Sequence, residues 1–234
     1  LGPLAEPAIP ELTATIETES GGGHPYIAEG AASALSDIGP EGVRALARLL
    51  VHPKEPVRFY CAGALMAAAR GELAAPALAR ATRDPSARVR RSAQLGLETL
   101  WGRARDAGRV EPALEGVVVS AMVERLRDPD AEIRANALFS LGCGRIRSAV
   151  GEFLRLASDP DARVRFRACQ ALALVEGEPG AVTPVLRRAL EDADSEVRAQ
   201  AADALSRYGA EAAAAVPALL RSEERRVGQE CRSR

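Results

Sequence analysis

Hydrophobic positions recur along this chain in one frame. An aliphatic residue is followed by small residues four and seven places on, and by Leu at eight. The copies read Ile27, Ala31, Ala34, Leu35, then Val57, Cys61, Ala64, Leu65, then Val89, Ala93, Gly96, Leu97. Three more follow: Ile133, Ala137, Ser140, Leu141, then Val164, Ala168, Ala171, Leu172, and Val197, Ala201, Ala204, Leu205. Offsets of four, seven and eight share one face of a helix, so each copy predicts an amphipathic helix with an aliphatic and alanine stripe. The anchors lie 30, 32, 44, 31 and 33 residues apart, which is the period of a repeat architecture.

Polar residues punctuate the same frame. Ser86, Asp130, Asp161 and Asp194 stand three residues before their anchors, where a short oxygen-bearing side chain can cap the first turn. Pro53, Pro85, Pro129 and Pro160 end the preceding segment. Before each turn runs a second apolar stretch, such as GVRALARLL, VVVSAMVERL or AVTPVLRRAL. Each unit is therefore helix A, a tight turn and helix B. Such a pair cannot bury its apolar face alone and must stack on its neighbours. The expected fold is all-α: an α-solenoid of about six helix pairs, with a truncated seventh in residues 210–220. The long 44-residue interval, around residues 101–116, predicts a longer loop or an extra helical turn.

The stretch DPDARVRFRACQALALVEGEPGAVTPVLRRALEDADSEVRAQAADALSRYG resembles bacterial HEAT repeats, especially the short HEAT-like type also found in phycobilisome lyases. The resemblance covers residues 1–220 and implies a right-handed superhelix. The family pattern has an Asp in the turn and an Arg six residues later. Here the pairs are Asp84 with Arg90, Asp128 with Arg134, Asp159 with Arg165, and Asp192 with Arg198. By the resemblance these side chains form a ladder of charge and hydrogen bonds between adjacent repeats. The second copy keeps Arg58 but has His52 at the Asp position, and the first, with Gly22 and Ala28, departs at both. Pro76 and Pro184 match the proline that the family places inside helix A.

Composition narrows the chemistry. The chain is 47% hydrophobic but only 3% aromatic, and its formal charge is −1. The segment RSEERRVGQECRSR, residues 221–234, holds five Arg and three Glu, which leaves the rest of the chain at −3. A weakly acidic body lacks the clustered Lys and Arg that nucleic-acid binding requires. The four cysteines, Cys61, Cys143, Cys169 and Cys231, form no CxxC pair and have no His at zinc spacing. They read as thiols of a reducing compartment, with Cys61 and Cys169 in the core, and the expected location is the cytoplasm. The sequence offers no phosphate-binding loop, no nucleophile–base pair and no metal-ligand cluster. No catalytic residue, cofactor or metal ligand is therefore expected, and no apolar run is long enough for a membrane span.

What remains is a surface. By the resemblance, helix B lines the concave face, and positions two, three and six after the anchor point away from the core. They include Phe59, Tyr60, Arg91, Asn136, Phe139, Phe166, Arg167, Gln170 and Gln200, a set holding four of the eight aromatic residues. Aromatic side chains beside Arg and amides suit a contact surface for another protein or a peptide. The same rings could instead pack between repeats. The expected function is a non-enzymatic interaction scaffold. The alternative is a phycobilisome-lyase-like or other HEAT-like modifying enzyme, or its regulatory subunit. Residues 221–234 resemble the in-frame translation of a sequencing adapter, departing from it only at Gln229, where the adapter reads Lys. They are expected to be a non-native or disordered tail, and both ends of the array to be cut.

Overall fold

The computed structural model describes residues 2–21, 24–68, 71–175 and 179–208. Residues 210–220, expected to be a truncated seventh repeat, and the segment 221–234 lie outside them. Twelve α-helices and two 3-10 segments, Gly2–Ala8 and Arg147–Ala149, make up the described structure, with no strand among the described residues. The helices fall into six A–B pairs. These are α1 (Ile9–Glu19) with α2 (Pro25–Ile38), α3 (Pro40–Leu49) with α4 (Glu55–Met66), and α5 (Gly71–Ala81) with α6 (Ala87–Asp106). Then come α7 (Pro112–Arg125) with α8 (Ala131–Cys143), α9 (Val150–Leu156) with α10 (Ala162–Leu174), and α11 (Pro179–Ala189) with α12 (Ser195–Ser206).

The chain divides into two compact units, Leu1–Ala121 and Met122–Arg234. In the first, α2 packs against α1 and α4, and α4 packs against α6. In the second, α10 lies between α8 and α12. Each unit is thus a stack in which B helices run side by side and A helices cover one flank, the layering of an α-solenoid.

The repeat frame sets the core. Val57, Val89, Ile133, Val164 and Val197 are fully buried, as are the Leu residues eight places later. Full burial of one such side chain contributes about 1.5–3 kcal/mol. The first copy differs from expectation. Ile27 remains 37% exposed, and Ala28 takes the buried anchor place above Ala31, Ala32 and Leu35. The long interval resolves into helix rather than loop. α6 runs for 20 residues, and its extension buries Trp101.

Capping also departs from expectation at one turn. Asp130, Asp161 and Asp194 accept the N–H groups of Glu132, Arg163 and Glu196, as N-caps do. Ser86 occupies the same position without making that bond. Its hydroxyl turns instead to Glu55 Oε1, 3.1 Å away.

Candidate functional site

Two constellations organise the B helices. The first lies in the turns. The carboxylate of each turn Asp accepts the backbone N–H two residues on, as in Ser86 to Asp84 (2.8 Å) and Asp161 to Asp159 (2.9 Å). In the second repeat His52 Nδ1 takes over, accepting the Lys54 N–H at 3.1 Å. The Arg six residues later points one guanidinium nitrogen back at the carbonyls of its own turn, and Arg90 and Arg198 do this as well.

Arg58, Arg134 and Arg165 also grip the Asp of the next repeat with a two-pronged bond. Arg58 reaches Asp84 at 2.6 and 3.0 Å, Arg134 reaches Asp159 at 3.0 and 2.8 Å, and Arg165 reaches Asp192 at 2.7 and 2.8 Å. Asp128 accepts from Arg125 at 3.2 Å and from the Asp130 N–H. The planar guanidinium fork allows one Arg to serve its own turn and its neighbour's together. Hydrogen bonding to Asp84 raises the Arg58 pKa above its ordinary value against the cost of burial.

The second constellation is aromatic. In the first unit the rings of Phe59 and Tyr60 meet edge to face at 5.4 Å, and the Arg88 guanidinium lies 3.7 Å over Phe59. Arg88 also approaches Glu55 Oε2 at 3.9 Å. In the second unit Arg167 lies 4.7 Å from the Phe139 ring centre and 5.7 Å from that of Phe166, and donates to Gln170 Oε1 at 2.7 Å. Phe139 is 42% exposed. Phe59, Tyr60, Phe166, Arg167, Gln170 and Gln200 are half-buried, and Arg91 and Asn136 are exposed. Asn136, Phe166 and Arg167 border a common cavity of about 390 Å³. Gln200 is turned aside, donating to Asp203 at 3.3 Å.

Sequence reasoning missed the residue directly before each anchor. Arg88, Glu132, Arg163 and Glu196 all stand there, and the last three line the cavity with Asp194. A charge at that position in four copies was the available signal.

Among the described residues no group of three or more His, Cys, Asp or Glu could hold a metal ion. No described helix is long and apolar enough to cross a membrane. Cys61 and Cys169 are buried, and burial pushes both thiols up to about 12. At neutral pH they carry almost no thiolate, the reactive form. Iodoacetamide at pH 8 is expected to label exposed Cys143 in the native protein. Cys61 and Cys169 should react more than about a hundredfold more slowly until denaturant is added, as read by peptide mass spectrometry.

Comparison with known proteins agrees with this architecture. A family model described as HEAT repeats matches residues 8–98 and 119–185. None of the curated proteins matches the sequence. Among solved structures, an engineered protein is similar over 87% of this chain and 97% of its own, with 21% identity and a TM-score of 0.60. A designed armadillo repeat protein in complex with the peptide (KR)4 is similar over 86% of this chain and 99% of its own, at 18% identity and a TM-score of 0.56. The archaeal HEAT-like repeats protein from Thermococcus onnurineus NA1 is similar over 85% of this chain and 79% of its own, at 14% identity and a TM-score of 0.57. Likeness at such identities concerns the fold alone.

Proposed function

The chain belongs to the HEAT-repeat family, and from that premise we propose that it is a non-enzymatic scaffold binding another protein or a peptide through its B-helix face. The observation that carries the reading is the cluster of Phe139, Arg167 and Phe166 beside the 390 Å³ cavity. Phe139 leaves 42% of its surface in water even with Arg167 4.7 Å from its ring centre. Partly exposed rings held by a guanidinium are rigid anchors, and ordering them on binding costs little entropy. The contact residues on this reading are Phe59, Tyr60 and Arg91 in the first unit. In the second they are Asn136, Phe139, Phe166, Arg167, Gln170 and Gln200. The peptide-bound armadillo neighbour has a similar fold and supports a peptide as one form of partner. The weakly acidic body favours protein over nucleic acid.

A random peptide library displayed against the full chain tests this. Selected peptides are expected to lose affinity by about tenfold or more on Phe139→Ala, about 1.4 kcal/mol, while the urea midpoint of the variant stays close to that of the parent. Equal affinity for parent and for Phe139→Ala and Phe166→Ala variants would remove the reading.

A further inference from the structure

We infer that the cavity beside α10 and α12 receives an arginine side chain of the partner, stacked on Phe166 and paired with Glu196; this rests on the scaffold reading above. The argument comes from comparing one repeat of this chain with another. Phe59 stands two residues after its anchor Val57, and Phe166 stands two after Val164. Over Phe59 the chain supplies its own cation, Arg88, from the position just before the next anchor. Glu55, two residues before Val57, approaches that guanidinium at 3.9 Å. The ring, the cation and the carboxylate form a closed set.

In the second unit the ring is kept and the other two members change. Glu196 stands where Arg88 stands, and Ala162 stands where Glu55 stands. The built-in guanidinium is thereby replaced by a carboxylate, and the small Ala162 leaves room. Phe166, Ala162, Glu196 and Asp194 all border the cavity of about 390 Å³, a volume within the ~300–1,000 Å³ of ligand clefts.

Charge points the same way. Glu132, Asp194 and Glu196 bring three carboxylates to the rim against Arg163 and Arg167. Arg163 is directed to Asp161, with Nε 3.5 Å from Oδ1. Arg167 sits nearer Phe139 (4.7 Å) and donates to Gln170, its guanidinium 5.7 Å from the Phe166 ring centre against the 3.7 Å of Arg88 over Phe59. A guanidinium entering from a partner restores the set that Arg88 completes within the chain. It meets a ring face by the cation–π attraction and a carboxylate by a two-pronged bond.

The test uses fluorescently labelled, end-blocked (Gly-Arg)4, (Gly-Lys)4, (Gly-Gln)4 and (Gly-Glu)4 with the full chain. Binding read by anisotropy is expected to be tightest for the Arg peptide, several-fold weaker for Lys, and absent for Gln and Glu. Glu196→Arg supplies the missing cation in cis, so it should weaken (Gly-Arg)4 by at least tenfold while its urea midpoint holds or rises. Ala162→Glu, which adds the counterpart of Glu55, should strengthen binding about threefold. Unchanged (Gly-Arg)4 affinity in Glu196→Arg, or a preference for the Glu peptide, would overturn the inference. Library peptides lacking Arg and Lys that respond to Phe139→Ala but not to Glu196→Arg would also overturn it, with the scaffold reading left standing. Peptides that respond to neither variant would remove both.

Discussion

Gly42→Ala is expected to destabilise the protein by about 3 kcal/mol, the opposite of what this exchange normally does inside a helix. Gly42 is a buried position in the first turn of α3. A Cβ built there would stand 1.8 Å from the carbonyl oxygen of Leu35 and 2.8 Å from its carbonyl carbon. Those atoms belong to the last turn of α2, whose backbone cannot retreat because the Leu35 side chain is fully buried. The obstacle is backbone, not the movable end of a side chain, so α3 must lift away from α2 and lose the packing of Val43 and Leu46. Gly116→Ala in α7 is the matched control. Nothing lies within 4 Å of its Cβ, so the ordinary gain of roughly 0.5–1 kcal/mol is expected there. Urea unfolding of both variants checks the pair of signs.

Arg134→Met should cost about 3–4 kcal/mol and lower the melting temperature by roughly 10 °C. The Arg134 and Asp159 side chains are only 12% and 6% exposed. Removing the guanidinium leaves an enclosed carboxylate with its counter-charge gone, and strips a donor from the Asp128 and Pro129 carbonyls. Adding Asp159→Leu should recover part of the loss, because two apolar groups avoid the stranded charge. Recovery stays incomplete because Asp159 also accepts the Asp161 N–H, which Leu cannot do. By contrast, Arg163→Ala should leave the urea midpoint nearly unchanged, since the Arg163 side chain is 70% exposed. A double-mutant cycle over Arg134 and Asp159 reads the coupling.

The same ladder sets the response to acid. Burial pushes the Asp192 carboxyl upward, but hydrogen bonds from Arg165 and the Asp194 N–H, with the charges of Arg165 and Arg198, outweigh it and hold the group below its ordinary value. A depressed carboxylate adds stability that is complete above the unfolded value of about 3.9 and is lost as pH falls through the folded value. Stability should therefore drop below about pH 4, and less steeply in Arg165→Met.

Much of the ladder was legible in advance because half of it is local. An Asp in the turn and an Arg six residues later meet wherever the chain makes that turn, and the family resemblance marked Asp159 and Arg165 as such a pair. The resemblance also implied that the ladder joins adjacent repeats, but not which Arg meets which Asp. Which Asp receives the remaining prongs of Arg134 depends on how α8 sets against α10, and no spacing encodes that. The aromatic face shows the same division. Offsets from the anchors brought Phe139, Phe166 and Arg167 to one side. The cavity and its rim of Glu132, Asp194 and Glu196 came from residues on three different helices. Ser86 satisfied every local rule for a cap and still bonded Glu55, because a carboxylate from the preceding repeat stood closer to hand.

The sequence by itself determined six helix pairs, their frame of buried Val, Ala and Leu, and the turn chemistry that joins them. Period, capping and proline placement act within a few residues, and a linear reading captures such forces. Only the tertiary structure decided that Ile27 yields its buried place to Ala28, since burial depends on which neighbours pack against α2. It also decided that Phe59 is capped by Arg88 while Phe166 opens on a carboxylate-rimmed cavity. The environments of Phe59 and Phe166 depend on pairing positions about thirty residues apart across a helix interface, where exchanges at two positions change what meets the ring.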